Sequence, residues 1–184
     1  GIYPRLDALQ GTLRLAADQG IAAVALLSLS GSGATEFDLN GFDQTLGGLT
    51  KGANAASVIN RGAAPSILTL SLPDNTTYAG TFDAGTAALS VVKSGAGILT
   101  LSGLSTTFDG TLQVNEGGLN LTGSIGGATS SVTLASGTVL RGEGTFGGNL
   151  NLGSATIEAN GSTPAGLLAT GNLSAGTVAV DLTA

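Results

Sequence analysis

The side chains of this 184-residue chain that could do chemistry are its acids. Three pairs have spacings that could bring carboxyl groups together: Asp38 with Asp43, Asp109 with Glu116, and Glu143 with Glu158, the last near Arg141. Paired carboxyls held roughly 5 to 10 Å apart are the machinery of glycoside hydrolysis, one group giving a proton while the other attacks or activates water. An acid beside an arginine would equally suit a polysaccharide lyase. Each of these acids sits in a turn-like context of Gly or Asn, where a solvated carboxylate is the default. Two Tyr and five Phe also leave little for stacking sugar rings. Glu143 with Glu158 is the best catalytic candidate, but the balance is against catalysis, so no enzymatic activity and no catalytic residue is expected.

Most other chemistry is absent by composition. The chain has no Cys, His, Met or Trp, which removes thiol nucleophiles, imidazole bases, disulfides and zinc sites of the usual kind. Calcium-binding nonapeptides of the Gly-Gly-x-Gly-x-Asp type do not occur, so no metal and no cofactor is expected. The six basic residues, Arg5, Arg14, Lys51, Arg61, Lys93 and Arg141, are scattered in a chain of net charge −6. A phosphate-binding surface needs a basic stripe, so neither nucleic acid nor an anionic membrane is an expected partner. Asn-x-Ser/Thr triplets begin at Asn75, Asn120, Asn160 and Asn172. In a chain this rich in Asn, Ser and Thr they are read as chance matches.

The elements that must position these residues are repeated. Ile67-Leu68-Thr69-Leu70-Ser71 recurs as Ile98-Leu99-Thr100-Leu101-Ser102, and Thr76-Thr77-Tyr78-Ala79-Gly80-Thr81 as Thr106-Thr107-Phe108-Asp109-Gly110-Thr111. A finer spacing links Leu99, Leu101, Leu112 and Val114 to Leu119, Leu121, Val132 and Leu134, twenty residues on. Short alternating strands closed by Gly turns have one face that only a neighbouring copy can bury, which is the logic of a solenoid. The expected fold is an all-β parallel β-helix with about twenty residues per coil, hence about nine coils and a length of roughly 45 Å. To reconcile the two spacings, an extra loop is placed near Asp83 to Leu89. Thirty-one glycines against four prolines, with a mean hydropathy of +0.37, fit strand corners and exclude a disordered linker.

The longest largely apolar run, Ile21 to Leu29, is too short to span a bilayer and lacks the basic flank of a signal peptide. It is assigned to a first or second coil, after a short capping helix over Leu6 to Ala17. Gly1 and the strand-like ending at Val178 to Leu182 are read as marks of an excised fragment, with that last strand uncapped.

From Lys93 the chain runs Lys93-Ser94-Gly95-Ala96-Gly97-Ile98-Leu99-Thr100-Leu101-Ser102-Gly103, then Thr106-Thr107-Phe108-Asp109-Gly110-Thr111-Leu112-Gln113-Val114, then Gly117-Gly118-Leu119-Asn120-Leu121. This closely resembles the autotransporter passenger-associated strand repeat of bacterial surface proteins. Asp38-Leu39-Asn40-Gly41 through Leu49 before it, and Leu140-Arg141-Gly142-Glu143-Gly144-Thr145-Phe146-Gly147-Gly148 after it, are similar to the usual neighbours of that repeat. Phe108 stands where the family commonly has an exposed Tyr, and Pro73-Asp74 interrupts the earlier copy. The resemblance implies a right-handed parallel β-helix, export to the bacterial cell surface or beyond, and a parent protein with a C-terminal outer-membrane β-barrel, this segment itself not entering the membrane. It divides the chain into N-terminal coils or cap over 1–34, the repeat-bearing helix over 35–130, and C-terminal coils over 131–184 that resemble a barrel-proximal, folding-templating region.

Strand residues of the Leu-x-Leu type are expected to point inward, and the intervening Thr, Gln and Asn outward. The outward Thr form no regular two-column array of the ice-binding kind. What remains is a polar, weakly charged, ladder-like surface suited to lateral contact with an identical molecule. The function expected is a stalk within a surface passenger, with self-association or adhesion to a host or cell-surface ligand; the alternative is a β-helix enzyme acting on polysaccharide.

Overall fold

The computed structural model describes residues 4–52, 55–158, 168–169, 172–174 and 179–181. Among these the chain is all β, with parallel strands stacked as a solenoid of about seven turns and about 21 residues per turn. Strands follow one another around the axis. The first turn holds β1 (Arg5–Ala8) and β2 (Gly11–Arg14), the second β3 (Leu26–Leu29), β4 (Thr35–Asp38) and β5 (Gln44–Leu46), and the third β6 (Gly48–Lys51), β7 (Ala56–Ile59) and β8 (Ser66–Ser71). Then come β9 (Thr76–Tyr78), β10 (Thr81–Phe82) and β11 (Leu89–Ser94), followed by β12 (Ile98–Leu101), β13 (Leu104–Ser105) and β14 (Thr111–Val114). The next turns carry β15 (Gly118–Leu121), β16 (Ser124–Ile125) and β17 (Ser131–Leu134), then β18 (Val139–Gly142), β19 (Thr145–Phe146) and β20 (Asn149–Asn151). Last are β21 (Thr156–Glu158), β22 (Leu168–Ala169), β23 (Leu173–Ser174) and β24 (Ala179–Asp181).

Three faces result. Face A contains β1, β3 and β6, continued by β9, β12, β15, β18, β21 and β24; face B contains β2, β4, β7 and β10, continued by β13, β16, β19 and β22; face C is one seven-stranded sheet from β5 to β23. All strand pairs are parallel, and pairing runs unbroken across residues 34/35 (β2 with β4) and 130/131 (β14 with β17). Alternate side chains are buried on β5, β8, β11, β12, β14, β17, β18 and β20, whereas β1 and β2 bury none. Leu99 lies on Leu119 and that on Leu140, Leu112 on Val132, and Val114 on Leu134, all within 2% of full burial. At roughly 25 cal/mol per Å² of apolar surface removed from water, these rows are what hold the turns together. Tyr78, Phe82 and Phe108 fill the wider part of the core, with ring centroids 5.2 and 6.2 Å apart. Phe108 is fully buried.

The twenty-residue spacing is the true stacking register: Leu99, Leu101, Leu112 and Val114 pair with the four predicted partners. The longer copy is not. Ile67 to Ser71 lies on face C and pairs with β11, whereas Ile98 to Leu101 lies on face A and pairs with β15. The two segments share an alternating pattern because every face needs the same one. Asp83 to Ala88 is likewise no insertion but the corner between β10 and β11. It stacks on an equally long corner, Asn60 to Pro65, through Asp83 N–H to Val58 O and Thr86 N–H to Asn60 O.

One further expectation is corrected. No capping helix covers 6–17, where β1 and β2 stand instead: this segment pairs in register with β3 and β4, and ladder bonds there outweigh local helical spacing. About seven turns are found among the described residues against the nine expected for the whole chain, and corners lengthen several of them to 23 or 24 residues, as from Leu68 to Val91 and from Gln44 to Leu68. Ile21 belongs to the first turn, in keeping with its assignment to a first or second coil, and there the Gln44 side chain takes its N–H at 2.9 Å and donates to its carbonyl at 2.8 Å. Asn160, Val178 and Leu182 lie outside the described residues.

Candidate functional site

The acids nominated from sequence are placed by corners, and four of the six stitch one turn to another. Asp38, fully buried at the end of β4, accepts from Arg14 Nε at 2.7 Å, from Asn40 N–H at 2.9 Å and from Arg61 N–H at 3.0 Å. Asp43 accepts from Ile67 N–H at 2.8 Å, one turn below. Glu116 accepts from Gly95 N–H at 3.0 Å, and Glu158 pairs with Arg141 Nε at 2.6 Å. Asp109 and Glu143 have no partner among the described residues. Asp109 and Glu116 stand at opposite ends of β14, so they do not meet. A carboxylate already holding backbone N–H groups or a guanidinium is fixed as an acceptor and poorly placed to carry a proton back and forth. Among the described residues no group of three His, Cys, Asp or Glu gathers as a metal site. Asn75 does similar corner work, accepting Ile98 N–H at 2.8 Å.

Lys93 opens the repeat motif but was given no role of its own from sequence, although the alternation Leu89, Val91, Lys93 puts it in the inward phase. It interrupts the apolar row Leu46, Leu70, Lys93, Val114, Leu134 and is fully buried. Its Nζ donates to Ser94 O at 3.1 Å, Gly95 O at 2.5 Å and Glu116 O at 3.0 Å. Burial pulls its pKa down to about 8, partly opposed by the Glu116 carboxylate. Three carbonyls match the three donors of an ammonium, so Lys93 closes the corner between β11 and β12.

A hollow of about 500 Å³ lies over the strand starts of face B, where face A turns into it. Its floor is the outward row Thr12, Glu36, Ser57 and Thr81, in register on β2, β4, β7 and β10. Small residues Gly11, Ala34, Ala55, Ala79 and Gly80 leave the corner open, and Lys51 and Asp83 stand at its margin. Glu36 is held by a two-point contact with Arg61, Nε to Oε1 at 3.1 Å and Nη2 to Oε2 at 2.7 Å. Nothing in the sequence marked Glu36 or Asp83, since their neighbours in space lie a full turn away.

Face C differs from the other two in charge. Across its seven strands the single charged residue is Lys93, which points inward. Outward stand Thr45, Thr69, Val92, Gln113, Thr133 and Asn151 in one row and Ile67, Ser90, Thr111, Ser131 and Asn149 in the next. Acids flank the sheet on both corners: Asp83 and Asp109 before it, Asp74 and Glu116 after it. The result is a flat uncharged plate with acidic margins, able to offer hydroxyl and amide hydrogen bonds and no proton chemistry. Comparison with protein-family models, with curated proteins and with solved structures finds no match to this chain.

Proposed function

We propose that the chain is a non-enzymatic stalk segment of a bacterial surface passenger, similar to autotransporter passengers, that also adheres to copies of itself through face C. The observation that carries the adhesive part is the absence of any outward charge on seven successive strands, while faces A and B carry Arg5, Asp7, Arg14, Glu36, Arg141 and Glu158 on theirs. A stalk needs only solubility, which charge on every face would serve. An uncharged plate instead lowers the desolvation cost of contact, since hydroxyls and amides can be re-paired across an interface where a lone buried charge cannot. The Lys-x-Gly-x-Gly-x-Leu-x-Leu-x-Gly motif supports the passenger reading, and the location at the cell surface rests on it.

Display of the chain on bacterial cells tests this. Cells carrying it should settle together, and the pair Thr69→Lys with Gln113→Lys, placing like charges on the plate, should abolish settling at unchanged surface level. Displayed chain that leaves cells dispersed would remove the adhesive role and leave the spacer alone.

A further inference from the structure

The hollow on face B is a built trough that meets face C only at the Asp83 corner, and we propose that it binds an uncharged oligosaccharide of about three sugar units, laid along the solenoid axis. Length argues first. Four strands span three steps of about 4.8 Å, close to 14 Å, which suits a short run of pyranose rings. Chemistry argues next. Thr12 and Ser57 present hydroxyls that both donate and accept, while Thr81, whose proton goes to Asp83, and the carboxylates of Glu36 and Asp83 only accept, a combination that matches sugar hydroxyls.

The two acceptors are fixed in advance. Glu36 is forked by Arg61, and Asp83 takes the hydroxyls of Thr81 at 2.9 Å and Thr107 at 3.2 Å. Holding them so reduces the ordering cost of binding. Shape agrees: Ala34, Ala55 and Ala79 with Gly11 and Gly80 leave room for a ring and give its C–H face apolar contact. Charge selects among ligands, because the two acids stand beside Arg61 and Lys51 and the site is close to neutral. An acidic glycan gains nothing there and meets a molecule of net charge −6. With no aromatic platform in the trough, affinity for one chain is weak and useful binding comes from many copies on one polymer.

The test is a titration of the isotope-labelled chain, followed by amide NMR, with cellotetraose, chitotetraose and laminaritetraose, and in parallel with oligogalacturonate and oligochitosan. At least one neutral tetraose should shift Thr12, Glu36, Ser57 and Thr81, and Thr12→Leu, at an exposed position, should abolish those shifts while Thr133→Leu on face C leaves them. Ser57→Leu, which fills the trough, should do the same as Thr12→Leu. No shift in the trough up to the solubility limit, shifts only elsewhere, or response to a charged oligomer alone would each overturn the proposal. Such a failure leaves the adhesion reading standing, since that depends on a different face.

Discussion

Lys93 shows how a single residue can set the chemistry of the interior. Its ordinary pKa is 10.5, and burial lowers it to about 8 in the folded chain. Below about pH 8 both folded and unfolded chains carry the proton, and the penalty for burying the charge is in full force. Between about 8 and 10.5 the folded chain gives it up while the unfolded chain keeps it, so stability rises with pH over that window. We expect the native chain to gain roughly 1 to 3 kcal/mol on Lys93→Met across it, measured by urea unfolding at several pH values. A constant difference between the two proteins would show that Lys93 does not titrate there. The inward phase of Lys93 was legible from alternation alone; its carbonyl partner on Glu116 was not, because Glu116 lies 23 residues away in a turn whose register the local sequence does not specify. The partners of the paired acids were hidden for the same reason. Asp38 and Asp43 are neighbours in sequence, yet their hydrogen bonds go to Arg14, Arg61 and Ile67 in adjoining turns.

Corners decide the register of the elements. Asn60, fully buried, takes Gly41 N–H at 2.8 Å and Gly62 N–H at 3.1 Å and gives its amide to Ala64 O and Ala88 O, tying three turns at one corner. Gly85 passes so close to the Asn60 carbonyl that a Cβ would collide with backbone. At Gly137 the space is open and only the left-handed φ of +81° resists a side chain. Gly85→Ala is therefore expected to cost about 1 to 3 kcal/mol as an overpacked site, and Gly137→Ala about 1 kcal/mol through backbone strain alone. Equilibrium unfolding of the two variants checks the order, and equal losses would contradict the corner contact. Strand type and the twenty-residue stacking were readable from Leu and Val phases. Corner lengths were not, since six residues between β10 and β11 and five between β13 and β14 look alike as Gly-rich sequence.

At the scale of the molecule, face C limits how strong adhesion can be. Six steps of about 4.8 Å by about four residues of about 3.3 Å make a plate near 400 Å², below the roughly 800 Å² per partner of a standard interface. One pair of molecules should associate weakly, and a dense surface layer much more firmly. The acidic corners repel in such a pair, so salt should strengthen the contact; a contact made by complementary charges would weaken. Sedimentation velocity over a range of concentration and ionic strength tests this most directly. The predicted result is an elongated species whose mass grows with concentration and with added salt, and which stays monomeric when Thr69 and Gln113 are both replaced by Lys. A monomer under every condition, or association that the two lysines leave unchanged, would contradict adhesion through face C.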